Sequence, residues 1–77
     1  MKKVSIYSTA TCTYCKHAKE FFKDKGVAYE EFDVGTNIEK RKEMIDLTGQ
    51  LGVPVIRIDD SIMVGFDQNA VAKALGL

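Results

Sequence analysis

Cys12, Thr13, Tyr14 and Cys15 place two thiols three positions apart, and the chain contains no other cysteine. Side chains at i and i+3 share one face of a helix, so sulfurs at this spacing can close a disulfide or bind one metal with little backbone movement. A thiol at the start of a helix lies beside unpaired amide donors and the positive end of the helix dipole. Both stabilise its thiolate, while a second thiol one turn further in is shielded. That asymmetry is the chemistry of a dithiol redox centre. In a reducing cytosol such a pair is better explained by catalysis or metal binding than by a structural staple, and a bridge over so short a loop adds little loop-closure stabilisation.

Each neighbour of the pair has a functional and an ordinary reading. Lys16, one helical turn after Cys12, is placed to favour a thiolate, although an exposed lysine needs no such role. His17 lies off the face of Cys15 and is read as a surface residue, with no metal ligand assigned. One cysteine pair is half of a four-thiolate site, so the competing reading, a metal or iron-sulfur module built on Cys12 and Cys15, requires a dimer or outside thiols. The alternative without chemistry is two inert cysteines acting as small hydrophobes.

The surrounding pattern shows how the thiols are positioned. Lys3 to Ser8 alternates, Val4 and Ile6 against Ser5 and Tyr7, which predicts a strand. Thr11 is the expected N-cap of a helix over Cys12 to Lys25, whose apolar stripe is Tyr14, Ala18, Phe21 and Phe22, with Gly26 as a left-handed stop. Val27 to Val34 reads as a second strand, and its Glu30, Glu31 and Asp33 suit a sheet edge. Asn37 caps a second helix in which Ile38, Arg41, Met44, Ile45 and Thr48 recur at helical spacing before Gly49. Strands joined by such a helix normally lie parallel. Val55 to Ile58 and Ile62 to Val64, separated by Asp59 and Asp60, form a hairpin whose turn type no Asn-Gly or Asp-Gly pair specifies. Asp67 caps a last helix with Ala70, Val71, Ala74 and Leu75 on its apolar face. The predicted order is β-α-β-α-β-β-α, over residues 1–77 as one domain.

Composition narrows the function classes. Apolar residues make up 45% and charged residues 29% of 77 positions, an ordinary globular balance. Eleven basic and eleven acidic side chains cancel, leaving no net field to gather nucleic acid or an anionic membrane surface. Met1, Lys2 and Lys3 precede no long apolar run, so the expectation is a cytoplasmic protein without a membrane span.

In this order, the stretches Tyr7 to Cys15, Lys40 to Val55 with Gly49, Val53 with Pro54, and Val64 to Gln68 resemble the glutaredoxin family of the thioredoxin fold, most closely its short YruB-type redoxins. The resemblance spans essentially the whole chain. It implies an α/β thioredoxin-like fold with a four-stranded mixed sheet and three helices, and a thiol-disulfide oxidoreductase in which Cys12 attacks and Cys15 resolves. It further implies a cis Val53 to Pro54 bond facing the sulfurs, and a substrate groove walled by Thr13, Tyr14, Val53, Pro54, Gly65, Phe66, Asp67 and Gln68. The Val53 backbone would pair with an extended substrate, and the N-terminus of the last helix beside Asp67 would suit a substrate carboxylate unless Asp67 merely caps it. The implied partners are disulfide-containing proteins, with no bound cofactor and a monomeric chain. Glutathione-using members carry Lys, Pro and Thr where this chain has Thr9, Thr13 and Gly52. Those departures turn the expected reductant from glutathione toward a thioredoxin-reductase-type flavoprotein.

Overall fold

The computed structural model describes residues 3–77; Met1 and Lys2, read above at the amino terminus, lie outside the described residues. The alternating segment forms strand β1, Val4–Ser8, and all of its residues are buried. Val4 and Ile6 point into one apolar cluster and Tyr7 into another, so helices cover both sides of this strand. Helix α1, Thr13–Asp24, follows after a short link. Its buried stripe is Cys15, Ala18, Phe21 and Phe22. Tyr14, expected to head that stripe, is 66% exposed instead. The helix turns about 100° per residue, and centring the stripe on Ala18 and Phe22 brings Cys15 inward and rotates Tyr14 out.

The end of α1 explains why the second strand is shorter than its sequence pattern. Gly26 adopts φ 66°, its amide donates to the Lys23 carbonyl, and the Val27 amide donates to the Phe22 carbonyl at 2.8 Å. These are the paired bonds of a Schellman cap. Val27 therefore closes the helix, and strand β2 covers only Glu30–Asp33. It runs parallel to β1 at the sheet edge, as its acidic residues suggested.

Helix α2, Ile38–Thr48, starts on Asn37, whose side chain accepts from the Lys40 amide, and ends on Gly49 at φ 74°. Its only buried residue is Met44, and Leu47 packs partly beside it. Ile38, placed on the apolar face from its spacing, is 59% exposed. The helix meets the sheet through this one patch, and its first turn projects beyond it.

Strand β3, Val55–Ile58, pairs antiparallel with β1, and strand β4, Ser61–Val64, pairs antiparallel with β3. Asp59 takes the left-handed conformation, φ 50°, that the two-residue turn requires. It is fixed by a reciprocal pair of bonds: its carboxylate accepts from the Lys3 amide and its own amide donates to the Lys3 carbonyl. Helix α3, Gln68–Leu75, closes the order β-α-β-α-β-β-α. The sheet order is β2-β1-β3-β4. Phe22 of α1 and Val71 of α3 pack with Val4, Ile6, Ile56 and Ile58 on one face. Met44 of α2 packs with Tyr7, Val34 and Val55 on the other. This is the α/β mixed-sheet architecture expected from the sequence.

Candidate functional site

Strand β1 delivers the chain through Thr9 to Thr11 into α1, and the dithiol sits at that junction. Cys12, not Thr11, is the N-cap: its backbone is extended (φ −84°, ψ 113°) and its Sγ accepts from the Cys15 amide at 3.1 Å. Thr11 was the natural expectation because hydroxyl and carboxylate side chains dominate N-caps; here a sulfur does the same work one residue later. Cys12 and Cys15 are joined as a disulfide with their Cα atoms 5.2 Å apart, within the usual range for such a bridge. Cys12 is half-buried, while Cys15 is 0% exposed among the α1 core residues.

One depression includes Cys12, and a second begins at Tyr14, the residue before Cys15. The first, of about 470 Å³, is lined by Thr9, Thr11, Cys12, Thr13, Lys16 and Lys19. The other, of about 620 Å³, runs along α1 between Tyr14, His17, Glu20, Phe21 and Phe66, with Gln68 at its α3 side. Thr13 and Tyr14 thus separate onto different flanks. The ring centroids of Tyr14 and His17 are 6.3 Å apart, and His17 belongs to no cluster of three or more metal-ligating side chains among the described residues.

The remaining predicted wall residues form a second group. The Val53 to Pro54 bond is cis, as the resemblance implied. Pro54 is fully buried at the start of β3, and Val53 packs partly against the Tyr7 and Met44 cluster. The Gly65 amide donates to the Pro54 carbonyl at 2.7 Å, which ties the β4 to α3 turn to the Val53 and Pro54 segment. The Asp67 carboxylate caps α3 by accepting from the Asn69 and Ala70 amides. Its capping role is therefore established by geometry. Val53 and Pro54 line neither of the two depressions beside the cysteines.

The Glutaredoxin family model matches residues 4–63. The chain belongs to the glutaredoxin family. An 8.6 kDa glutaredoxin-like protein in the rubredoxin operon of Clostridium pasteurianum is 42% identical over 72 residues, covering 94% of this chain and 96% of that one. Glutaredoxin 3 of Escherichia coli is 40% identical over 76 residues, covering 99% and 92%. Among solved structures, a mutant form of the thioredoxin-like protein BC3987 superposes with a TM-score of 0.91 at 33% identity, covering 99% of this chain and 97% of that one. This glutaredoxin-family chain is a dithiol-disulfide oxidoreductase, with a thioredoxin-like fold and a paired Cys12 and Cys15.

Two polar clusters of this glutaredoxin were not foreseen. Beneath the dithiol, buried Ser8 and Lys19 both donate to Glu31 Oε2, at 3.1 and 2.7 Å, joining the end of β1 and the middle of α1 to β2. The Lys19 hydrogen bond, opposed by partial burial, holds the Glu31 carboxyl below its ordinary range. On the α2 face the Tyr7 hydroxyl donates to Glu43 Oε1 at 2.8 Å, and Lys40 pairs with Glu43 Oε2 at 3.0 Å. The Lys40 ammonium also lies 4.2 Å from the centroid of the Phe32 ring. A hint was present: Tyr7 stands on an otherwise apolar strand, and a buried hydroxyl needs a partner. Which partner it takes is not encoded locally.

Proposed function

We propose that the chain is a cytoplasmic, monomeric carrier that reduces disulfides of protein substrates, with Cys12 as nucleophile and Cys15 as resolving thiol. The observation that carries this assignment is the unequal placement of the sulfurs: Cys12 is accessible at the α1 N-cap, whereas Cys15 is 0% exposed. In the reduced protein the Cys15 amide and the α1 dipole favour negative charge on Cys12 sulfur. The Cys12 thiolate attacks one sulfur of the target disulfide, forms a mixed disulfide and expels the other target sulfur as a thiolate. Cys15, having given up its proton, then attacks Cys12 sulfur and expels the second target thiolate. The target gains two electrons, and the chain ends as the Cys12 to Cys15 disulfide.

Substrate contact is assigned to Thr13 on one flank, to Tyr14, Phe66 and Gln68 on the other, and to Val53, Pro54, Gly65 and Asp67, which line neither depression. No bound cofactor is required, because the cysteines hold the electrons. A thioredoxin-reductase-type flavoprotein is the proposed source of those electrons, in preference to glutathione. Thr9 carries no cation and Gly52 no hydroxyl for a glutathione carboxylate, and Asp67 already accepts from the Asn69 and Ala70 amides at the start of α3.

The assignment is tested with two variants. Cys12→Ser should lose disulfide reduction entirely, and Cys15→Ser should accumulate a mixed disulfide with its target, read by non-reducing electrophoresis and mass. Full activity in Cys12→Ser would sink the assignment. The reductant is tested by offering the oxidised chain glutathione with its reductase, or the flavoprotein with NADPH, and counting thiols regained. Rapid recovery with glutathione alone would reverse the preference.

A further inference from the structure

The two flanks of the dithiol differ in charge and in character. The flank lined by Thr9, Thr11, Thr13, Lys16 and Lys19 carries the exposed cation Lys16, while Lys19 is paired with Glu31. The opposite flank has aromatic walls, with the Phe21 and Phe66 ring centroids 5.8 Å apart, and is rimmed by Glu20 and Asp24. One cation, Lys25, also lines it, but its ammonium stands 6.0 Å from the centroid of the Phe21 ring, at the far end from Tyr14.

Among the described residues no ion pair engages the two carboxylates, although Lys16 and Lys23 stand four before and three after Glu20 on α1. Glu20 and Asp24 are both exposed. They stand at i and i+4, where like charges weaken a helix. Asp24 is also the last residue of α1, where the dipole disfavours an anion. Local rules broken on an exposed rim, with no compensating contact, mark a surface kept for recognition. That surface is continuous with Tyr14, the residue between the sulfurs, which exposes 66% of its area.

Building on the dithiol assignment above, we infer that the Tyr14, Phe21 and Phe66 groove docks the polypeptide segment flanking the substrate's disulfide. An apolar side chain of that segment lies against Phe21 and Phe66, and a neighbouring lysine or arginine reaches Glu20 and Asp24. Aromatic walls supply contact area at low entropic cost, while the acidic rim selects the sign of the partner and its direction across Cys12. The cationic opposite flank reinforces that direction, since a basic segment laid there would meet Lys16.

The test uses the fully reduced chain in single turnovers, which removes any dependence on the recharging enzyme. Two peptide disulfides are compared, identical except that the residue after a leucine is arginine in one and glutamate in the other. The wild type should reduce the arginine peptide about tenfold faster at low salt, and the preference should shrink as salt rises. The double variant Glu20→Lys with Asp24→Lys, both exposed positions whose folding is checked by circular dichroism, should invert the preference. Equal rates for both peptides in the wild type, or a preference unchanged in the double variant, would overturn the docking surface and leave the dithiol assignment standing. Failure of the wild type to reduce either peptide would overturn both.

Discussion

On the face of the sheet covered by α1 and α3, Val4, Ile6, Ala18, Phe22, Ile56 and Val71 pack into an apolar cluster with no hydroxyl among its buried residues, Tyr29 lying only at its half-buried margin. On the face covered by α2 the fully buried set shrinks to Tyr7, Val34, Met44 and Val55, and its largest side chain carries a hydroxyl. The α2 face also leaves a cleft of about 540 Å³ lined by Ser5, Tyr7, Glu43 and Arg57. One face is held by burial and the other partly by hydrogen bonds and charge. Cys15 belongs to the buried stripe of α1 together with Ala18, Phe21 and Phe22, so the reactive pair is anchored to the helix that packs on the apolar face. The more polar face tolerates sheet positions such as Arg57 that the first could not.

The largest effect that would test this contrast is Phe22→Ala. Phe22 is 0% exposed and packs its ring against Phe21 and Tyr29. Its truncation should destabilise the fold by about 3–5 kcal/mol, measured by urea denaturation, and loosen α1 beneath the cysteines. Met44→Ala on the opposite face should cost about 2–3 kcal/mol, because a smaller cluster beside an open cleft relaxes more readily. A larger loss for Met44→Ala than for Phe22→Ala would invert the proposed ranking of the faces.

The smallest effect concerns the polar pair. Tyr7→Phe removes one hydrogen bond to a carboxylate that stays partly hydrated, and should cost about 1 kcal/mol. Its pH dependence is the sharper readout. Burial first, and then Glu43, push the Tyr7 hydroxyl up from 10.0 to about 12. The folded state therefore holds that proton more tightly than the unfolded chain. Its contribution to stability is complete below pH 10 and is lost as pH rises from 10 through about 12. The Tyr7 hydrogen bond, followed by Lys40, holds the Glu43 carboxyl below its ordinary 4.5. That contribution is present above pH 4.5 and fades as pH falls. The advantage of wild type over Tyr7→Phe should shrink as pH falls below 4.5. It should shrink and then reverse as pH rises above 10, because the buried phenolate is itself unfavourable. A constant difference across pH would break the link between this pair and the α2 face.

Much of the architecture could be read from short-range signals. Asn37 caps α2 through an amide three residues away, and Gly26 and Gly49 stop their helices by taking a conformation that other residues resist. Element order followed, because each start and stop is set within four or five residues. Burial was less legible: Tyr14 and Ile38 fit helical spacing but sit at the edges of their stripes, and only the docking angle of each helix decides how wide its buried face is.

By itself, then, the sequence determined the dithiol, the order of the elements, the Asn37 and Asp67 caps, the glycine stops after α1 and α2 and the edge position of β2, since these depend on residue type and close spacing. The tertiary structure alone decided that Cys12 is the N-cap and Cys15 is sealed in the core. It also decided that Tyr7 meets Glu43 across 36 positions and Lys3 meets Asp59 across 56. The separation of Thr13 and Tyr14 onto flanks of different charge was likewise fixed by how α1 rests on the sheet. Contacts over such distances are chosen by the packing of whole elements, which no local pattern of residues specifies.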